Sequence, residues 1–146
     1  PGRGRDPERS PMRWDDRPGG GFTTGTPWLP LGDPAVNVAA QRDDPASMLS
    51  LHRRLLRLRR RAPALHSGGY DPVEADGDVL AYLRTAPGGG RHLVAANLGP
   101  DPARLAVPGL ELAGRVAAAT DPARQGGQVA GELSLAGDDG VVVELG

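Results

Sequence analysis

Apolar positions change their rhythm twice along this chain. Residues 1–44 are dense in Pro and Gly and keep neither a helical nor a strand period. A loop that long without structure of its own is uncommon in a compact domain. The stretch nevertheless holds Met12, Trp14, Phe22, Trp28 and Leu29, apolar anchors for which a solvated linker has no use. It therefore reads as a segment shaped against a partner surface.

A helical rhythm follows. Met48, Leu51, Leu55 and Leu58 recur at helical spacing, and Leu49 and Leu56 widen the stripe to nearly half the circumference. This predicts a helix from Pro45 to about Arg61 that docks on a substantial surface. Asp44 is the expected N-cap with Pro45 at the first helical position, and Pro63 ends the element. Arg53, Arg54, Arg57, Arg60 and Arg61 fall opposite the stripe as a solvated face. Arg59 alone lies within the apolar arc and is expected to pair with a carboxylate or a backbone carbonyl.

The remainder alternates short strand-like runs with turn signals. After a turn at Ser67-Gly68-Gly69, strands are expected near 79–85, 92–98, 103–107, 115–119, 129–135 and 141–145. Regular spacing with no helices between them predicts an antiparallel β-sandwich. The overall class is thus mainly β, a C-terminal sandwich preceded by a long loop and one helix.

Composition changes this picture little. The chain carries 17 Lys+Arg against 18 Asp+Glu, a net charge of −1, so no long-range field draws it to nucleic acid or to an anionic membrane. All its cations but the histidines are arginines. With no cysteine, disulfides and thiolate metal sites are excluded. No apolar run is long enough to span a bilayer, and no signal-peptide pattern is present. An opening at Pro1-Gly2-Arg3 rather than Met reads as a cut through a longer protein.

The most specific text is Gly4-Arg5-Asp6-Pro7-Glu8-Arg9-Ser10-Pro11-Met12-Arg13-Trp14-Asp15-Asp16, followed by Gly21-Phe22-Thr23-Thr24-Gly25-Thr26-Pro27-Trp28-Leu29-Pro30. It continues through Asn37-Val38, Gln41 and Asp44-Pro45-Ala46-Ser47-Met48 to Pro63-Ala64-Leu65. This text resembles that of the family 13 α-glucosidases and oligo-1,6-glucosidases over roughly the first 66 positions, and only in general terms beyond them. The resemblance implies a (β/α)₈ barrel with its site at the C-terminal ends of the strands, followed by a small β-sandwich. Residues 1–66 would be the barrel's last long loop and last helix, and residues 67–146 the sandwich. The upstream barrel of the same protein and an oligosaccharide substrate are the implied partners.

Retaining glycosidases work with two carboxyl groups about 5 Å apart. In this family both lie upstream of the matched text, with a third stabilising Asp, and no carboxylate here stands in their contexts. The chain alone is therefore expected to be inactive, with no catalytic residue of its own. For substrate binding the resemblance singles out Arg9, whose counterpart is associated with the terminal glucose, and more weakly Arg5. A permanently charged, planar guanidinium can donate paired hydrogen bonds to sugar hydroxyls. The plainer reading is that both arginines brace the loop through Asp6, Asp15 or Asp16. Trp14 and Trp28 are loop anchors or sugar-stacking faces. Arg13 stands where the family usually has glutamine, Ser10 where threonine is common, and Gly19-Gly20-Gly21 replaces a stiffer turn.

Other groups carry less. His52, His66 and His92 lack metal-ligand spacing and read as surface or interface residues, and no cofactor is implied. Asp138-Asp139-Gly140 resembles a hairpin turn more than a calcium loop. Gly88-Gly89-Gly90 lacks the context of a phosphate-binding loop. Two alternatives stay open. One is a stand-alone sandwich that binds carbohydrate or protein, for which Tyr70 and Tyr82 are the aromatic residues at hand. The other is a trehalose synthase or sucrose isomerase, which shares part of the Pro11-Met12-Arg13-Trp14 text. A cytoplasmic location is expected, without nucleic-acid or membrane partners.

Overall fold

A computed structural model of the chain describes Gly4 and residues 7–146. Two compact units are present, 1–50 and 51–146.

In the first unit a 3₁₀ turn, Pro7–Arg9, is followed by irregular chain and then by helix α1, Val38–Arg42. Asn37 caps α1: its Oδ1 accepts from the Ala40 amide at 2.8 Å while its Nδ2 donates to the Pro34 carbonyl. A capped helix turn fixes the end of the long loop.

Helix α2 runs Met48–Arg61, three residues shorter at its start than the Asp44-Pro45 signal predicts. Asp44 instead closes a side-chain turn, its Oδ1 accepting from Ala46 N at 2.8 Å. Ser47 is the residue that caps, its Oγ accepting from Ser50 N at 3.1 Å, which satisfies one of the four free amides at the helix start. Gln41 Oε1 takes the Leu49 amide at 3.0 Å. Pro63 both stops α2 and opens a further short helix, α3, Pro63–Ser67, with Ala62 extended between them. Three α-helices thus stand where one was expected.

No residue of α2 is buried. Met48, Leu55 and Leu56 of the apolar stripe are exposed. On the opposite face Arg53, Arg57, Arg60 and Arg61 are solvated as expected, but Arg54 is half-buried and its Nη2 reaches the Ala119 carbonyl at 3.4 Å. The reason is position: Arg54 lies where the helix meets the sheet, and a long aliphatic stem covers apolar surface while its head finds a carbonyl. Arg59 Nη1 donates to the Leu65 carbonyl at 3.0 Å, the backbone partner its place in the apolar arc calls for.

Eight strands follow: β1 Gly69–Val73, β2 Val79–Thr85, β3 Arg91–Asn97, β4 Ala103–Leu105, β5 Leu112–Ala119, β6 Gln128–Gly131, β7 Leu133–Leu135 and β8 Gly140–Leu145. Six form one sheet in the order β1-β2-β3-β8-β5-β6, and β4 pairs with β7 in a second. Every pairing is antiparallel. Register puts Leu83, Leu93, Val143 and Val116 in one inward row and Ala81, Ala95, Val141 and Ala119 in the next. Leu105, Leu133 and Leu135 of the small sheet close the same core. The architecture is the mainly β, antiparallel sandwich the alternation predicts.

The strands differ from the reading of the sequence at four places: β4 ends at Leu105 rather than 107, β5 begins at Leu112 rather than 115, and two further differences change the strand list. The predicted turn at Ser67-Gly68-Gly69 runs directly into β1, whose Pro72 pairs opposite Tyr82; proline is tolerated because β1 is an edge strand. The run 129–135 is two strands in different sheets, divided at Gly131, whose φ is 75°. His92, expected at a surface or interface, is buried because the α2–α3 corner covers its end of β3.

Candidate functional site

The site the sequence singles out lies in the first unit. Arg9 ends the 3₁₀ turn, and its Cζ stands 5.5 Å from the centre of the Trp28 ring, within cation–π range. Both residues are exposed, Trp28 by 81%. Arg5 lies outside the described residues, as does Asp6.

The loop beneath Arg9 is held by hydrogen bonds rather than by a core. Trp14 N donates to Gly20 O at 2.8 Å, Gly20 N donates to Arg17 O at 2.8 Å, and the Arg13 and Trp14 carbonyls accept from Val38 and Ala39. Arg13, the departure from the usual glutamine, reaches three carbonyls: Gly32 at 2.9 Å, Arg17 at 3.3 Å and Asp15 at 3.5 Å. A guanidinium has enough donors in fixed geometry to tie several carbonyls at once. Arg13 therefore braces the loop.

Asp15 pairs with Arg17 at 2.6 Å and also accepts its backbone amide at 3.1 Å. The hydrogen bond from Arg17 holds the Asp15 carboxyl below the usual carboxylate range. Gly21 has φ 77°, and a Cβ there would lie 2.7 Å from Asp15 Oδ2. The Gly19-Gly20-Gly21 run is thus demanded by a left-handed, crowded turn.

Of the apolar anchors, only Leu29 is buried; Met12, Trp14, Phe22 and Trp28 stay exposed. Single exposed apolar residues are ordinary, but several large ones in one short segment mark a surface made for contact. Arg13, Arg17 and Asn37 carry the loop's order, and sequence reasoning did not assign them that work. The signal for Asn37 was available, as an Asn directly before Val38-Ala39-Ala40-Gln41.

The other candidates are dispersed. His52 and His66 are exposed, and no group of three or more metal-ligating side chains occurs among the described residues. Tyr70 and Tyr82 meet with ring centres 5.0 Å apart, tilted by 35°. Each ring therefore covers part of the other. Among the described residues no helix is long and apolar enough to cross a membrane.

Comparison with known proteins places these features. Residues 2–68 match the model of the α-amylase catalytic domain, and residues 68–143 match a domain of unknown function, DUF3459. Among curated relatives, a probable α-glucosidase of Rhizobium meliloti is 45% identical over 85 residues, 57% of this chain and 15% of its own length. An oligo-1,6-glucosidase of Parageobacillus thermoglucosidasius is 40% identical over 86 residues, with the same two shares. Among solved structures, the trehalulose synthase MutB of Pseudomonas mesoacidophila superposes with a TM-score of 0.87 at 30% identity. Isomaltulose synthase of a Klebsiella species superposes with a TM-score of 0.86 at 29% identity. Each superposition covers 97% of this chain and 26% of the solved one.

The class so defined is a chain in which an α-amylase-type segment leads into a β-sandwich. The chain belongs to the α-amylase family of glycoside hydrolases, corresponding to the C-terminal portion of its α-glucosidase and oligo-1,6-glucosidase members. It spans about 15% of the length of those curated relatives.

Proposed function

We propose that this chain is the C-terminal part of a retaining, exo-acting α-glucosidase that releases glucose from short α-linked oligosaccharides in the cytoplasm. Residues 1–66 complete the catalytic barrel and residues 67–146 form the sandwich. The carboxylates that cleave the bond reside in the upstream barrel, and this chain contributes substrate contacts from its long loop. Arg9 donates to the hydroxyls of the terminal glucose, with Arg5 as its neighbour in that role.

The observation that carries this reading is the seating of Arg9. Its guanidinium lies against an exposed tryptophan, on a loop whose own order comes from Arg13, Arg17 and Asn37. A charged donor group presented by a braced loop suits a ligand that arrives from outside. The uncovered Trp14, Phe22, Leu55 and Leu56 support a large apolar partner such as the barrel.

In the longer protein, Arg9→Ala is expected to lower kcat/KM on an aryl α-glucoside by about 10- to 100-fold, the worth of a hydrogen bond from a charged group. The unfolding midpoint should stay within experimental error of the parent's. Unchanged kinetics would remove Arg9 from the site. The 146-residue chain assayed alone should show no turnover; measurable hydrolysis would place the acids within it.

A second reading is a sucrose isomerase, favoured by the solved structures that superpose on the chain. Product analysis with sucrose separates the two. Glucose and fructose in equal amounts support the glucosidase, whereas a rearranged disaccharide as main product supports the isomerase.

A further inference from the structure

The outer face of the six-stranded sheet carries a polar row. Register aligns Arg84, His92, Glu144 and Arg115 across β2, β3, β8 and β5. Above the middle of this row, the end of α2 and the start of α3 leave a half-open groove of about 430 Å³, within the size range of small-ligand sites. Leu58 and Pro63 supply an apolar wall, while His92, Glu144, Arg115 and Gln125 line the rest.

His92 is 5% exposed, and its Nδ1 is buried without a hydrogen-bond partner among the described residues. Native proteins seldom leave such an atom alone, and each case calls for an explanation. That atom is closed to solvent as the side chain stands, while the side chain itself lines the groove, so a ligand there supplies the missing bond on rotation of the imidazole ring. Burial keeps this imidazole neutral more firmly than in water, so it offers one donor and one acceptor but no charge.

Charge then narrows the ligand. A cation entering the groove would meet Arg61 and Arg115, and an anion would meet the Glu144 carboxylate. A neutral polyhydroxylated molecule suits the mixture, because each hydroxyl can both donate and accept. It can give protons to Glu144 and take them from Arg115 and the Gln125 amide, while its C–H faces rest on Leu58 and Pro63. We propose that this groove binds a neutral saccharide ring, with His92, Glu144 and Arg115 as its polar contacts. The proposal goes beyond the reading of Arg9 and does not depend on which glycoside the longer protein cleaves.

The chain has three histidines, so imidazole NMR resonances report on the groove directly. Titrating the intact chain with glucose or isomaltose should move the His92 signals saturably, while those of His52 stay in place. Arg115→Gln should weaken this response about tenfold, as loss of a charged hydrogen-bond donor does, and leave the unfolding midpoint unchanged because Arg115 is exposed. Glu144→Gln, also at an exposed position, should weaken it too. No movement of His92, a response that never saturates, saturation by inorganic phosphate instead of sugar, or equal affinity in both variants would each overturn the proposal. Because no turnover is measured, its failure leaves the Arg9 experiment untouched.

Discussion

Burial of the His92 imidazole penalises its charged form, and the nearby Glu144 carboxylate offsets only part of that penalty. The folded pKa therefore lies below the ordinary 6.5, at which the unfolded chain would take up its proton. As pH falls below about 6.5 the unfolded state binds more protons, so stability declines until the folded pKa is passed. Urea midpoints at pH 7.5 and 5.5 should fall more for the parent than for His92→Gln; an equal fall in both would remove His92 as the cause. Sequence spacing placed His92 only at a surface or interface, since burial depends on what the α2–α3 corner covers. Asp139 has the same history. Asp138-Asp139-Gly140 reads as a turn, and Asp138 does adopt φ 53°. Yet Asp139 is buried in an ion pair with Arg124 and takes the Thr120 hydroxyl, partners 15 and 19 residues away that no local pattern links.

Strands were legible where an apolar run is bounded by turn residues. β2, β3 and β8 sit within a residue of their predicted ends because Pro87-Gly88-Gly89-Gly90, Gly99-Pro100-Asp101 and Gly137-Asp138-Asp139 separate them from their neighbours. β1 was missed, since Pro72 within Gly69–Val73 argues against a strand unless it is known to lie at an edge. The start of α2 was misplaced because Asp44, Pro45 and Ser47 all carry N-terminal signals, and only the fold decides which hydroxyl or carboxylate meets the helix amides. Ser47→Ala should consequently cost about 1 kcal/mol in a urea unfolding series, whereas Asp44→Ala should cost less. The opposite ranking would return the cap to Asp44.

For the molecule as a whole, the loop of 1–44 shows why part of the site lies beyond local reasoning. Its apolar anchors were readable as contacts, but the exposure of all of them except Leu29 leaves their counterpart to be supplied by the proposed barrel. The family text named Arg9, whereas the bracing by Arg13 and Arg17 became visible only once the carbonyls of Asp15, Arg17 and Gly32 were in place. The strand order has a consequence for how this chain is made. β8 comes last of the strands, yet it lies between β3 and β5, so on a ribosome the two halves of the large sheet wait with bare edges until residues 140–145 emerge. A chain stopped after Gly137 should therefore aggregate during synthesis, and a peptide of the β8 sequence added in excess should recover soluble material by filling the gap. Soluble, folded product from the shortened chain alone would show that the sheet can close without its central strand.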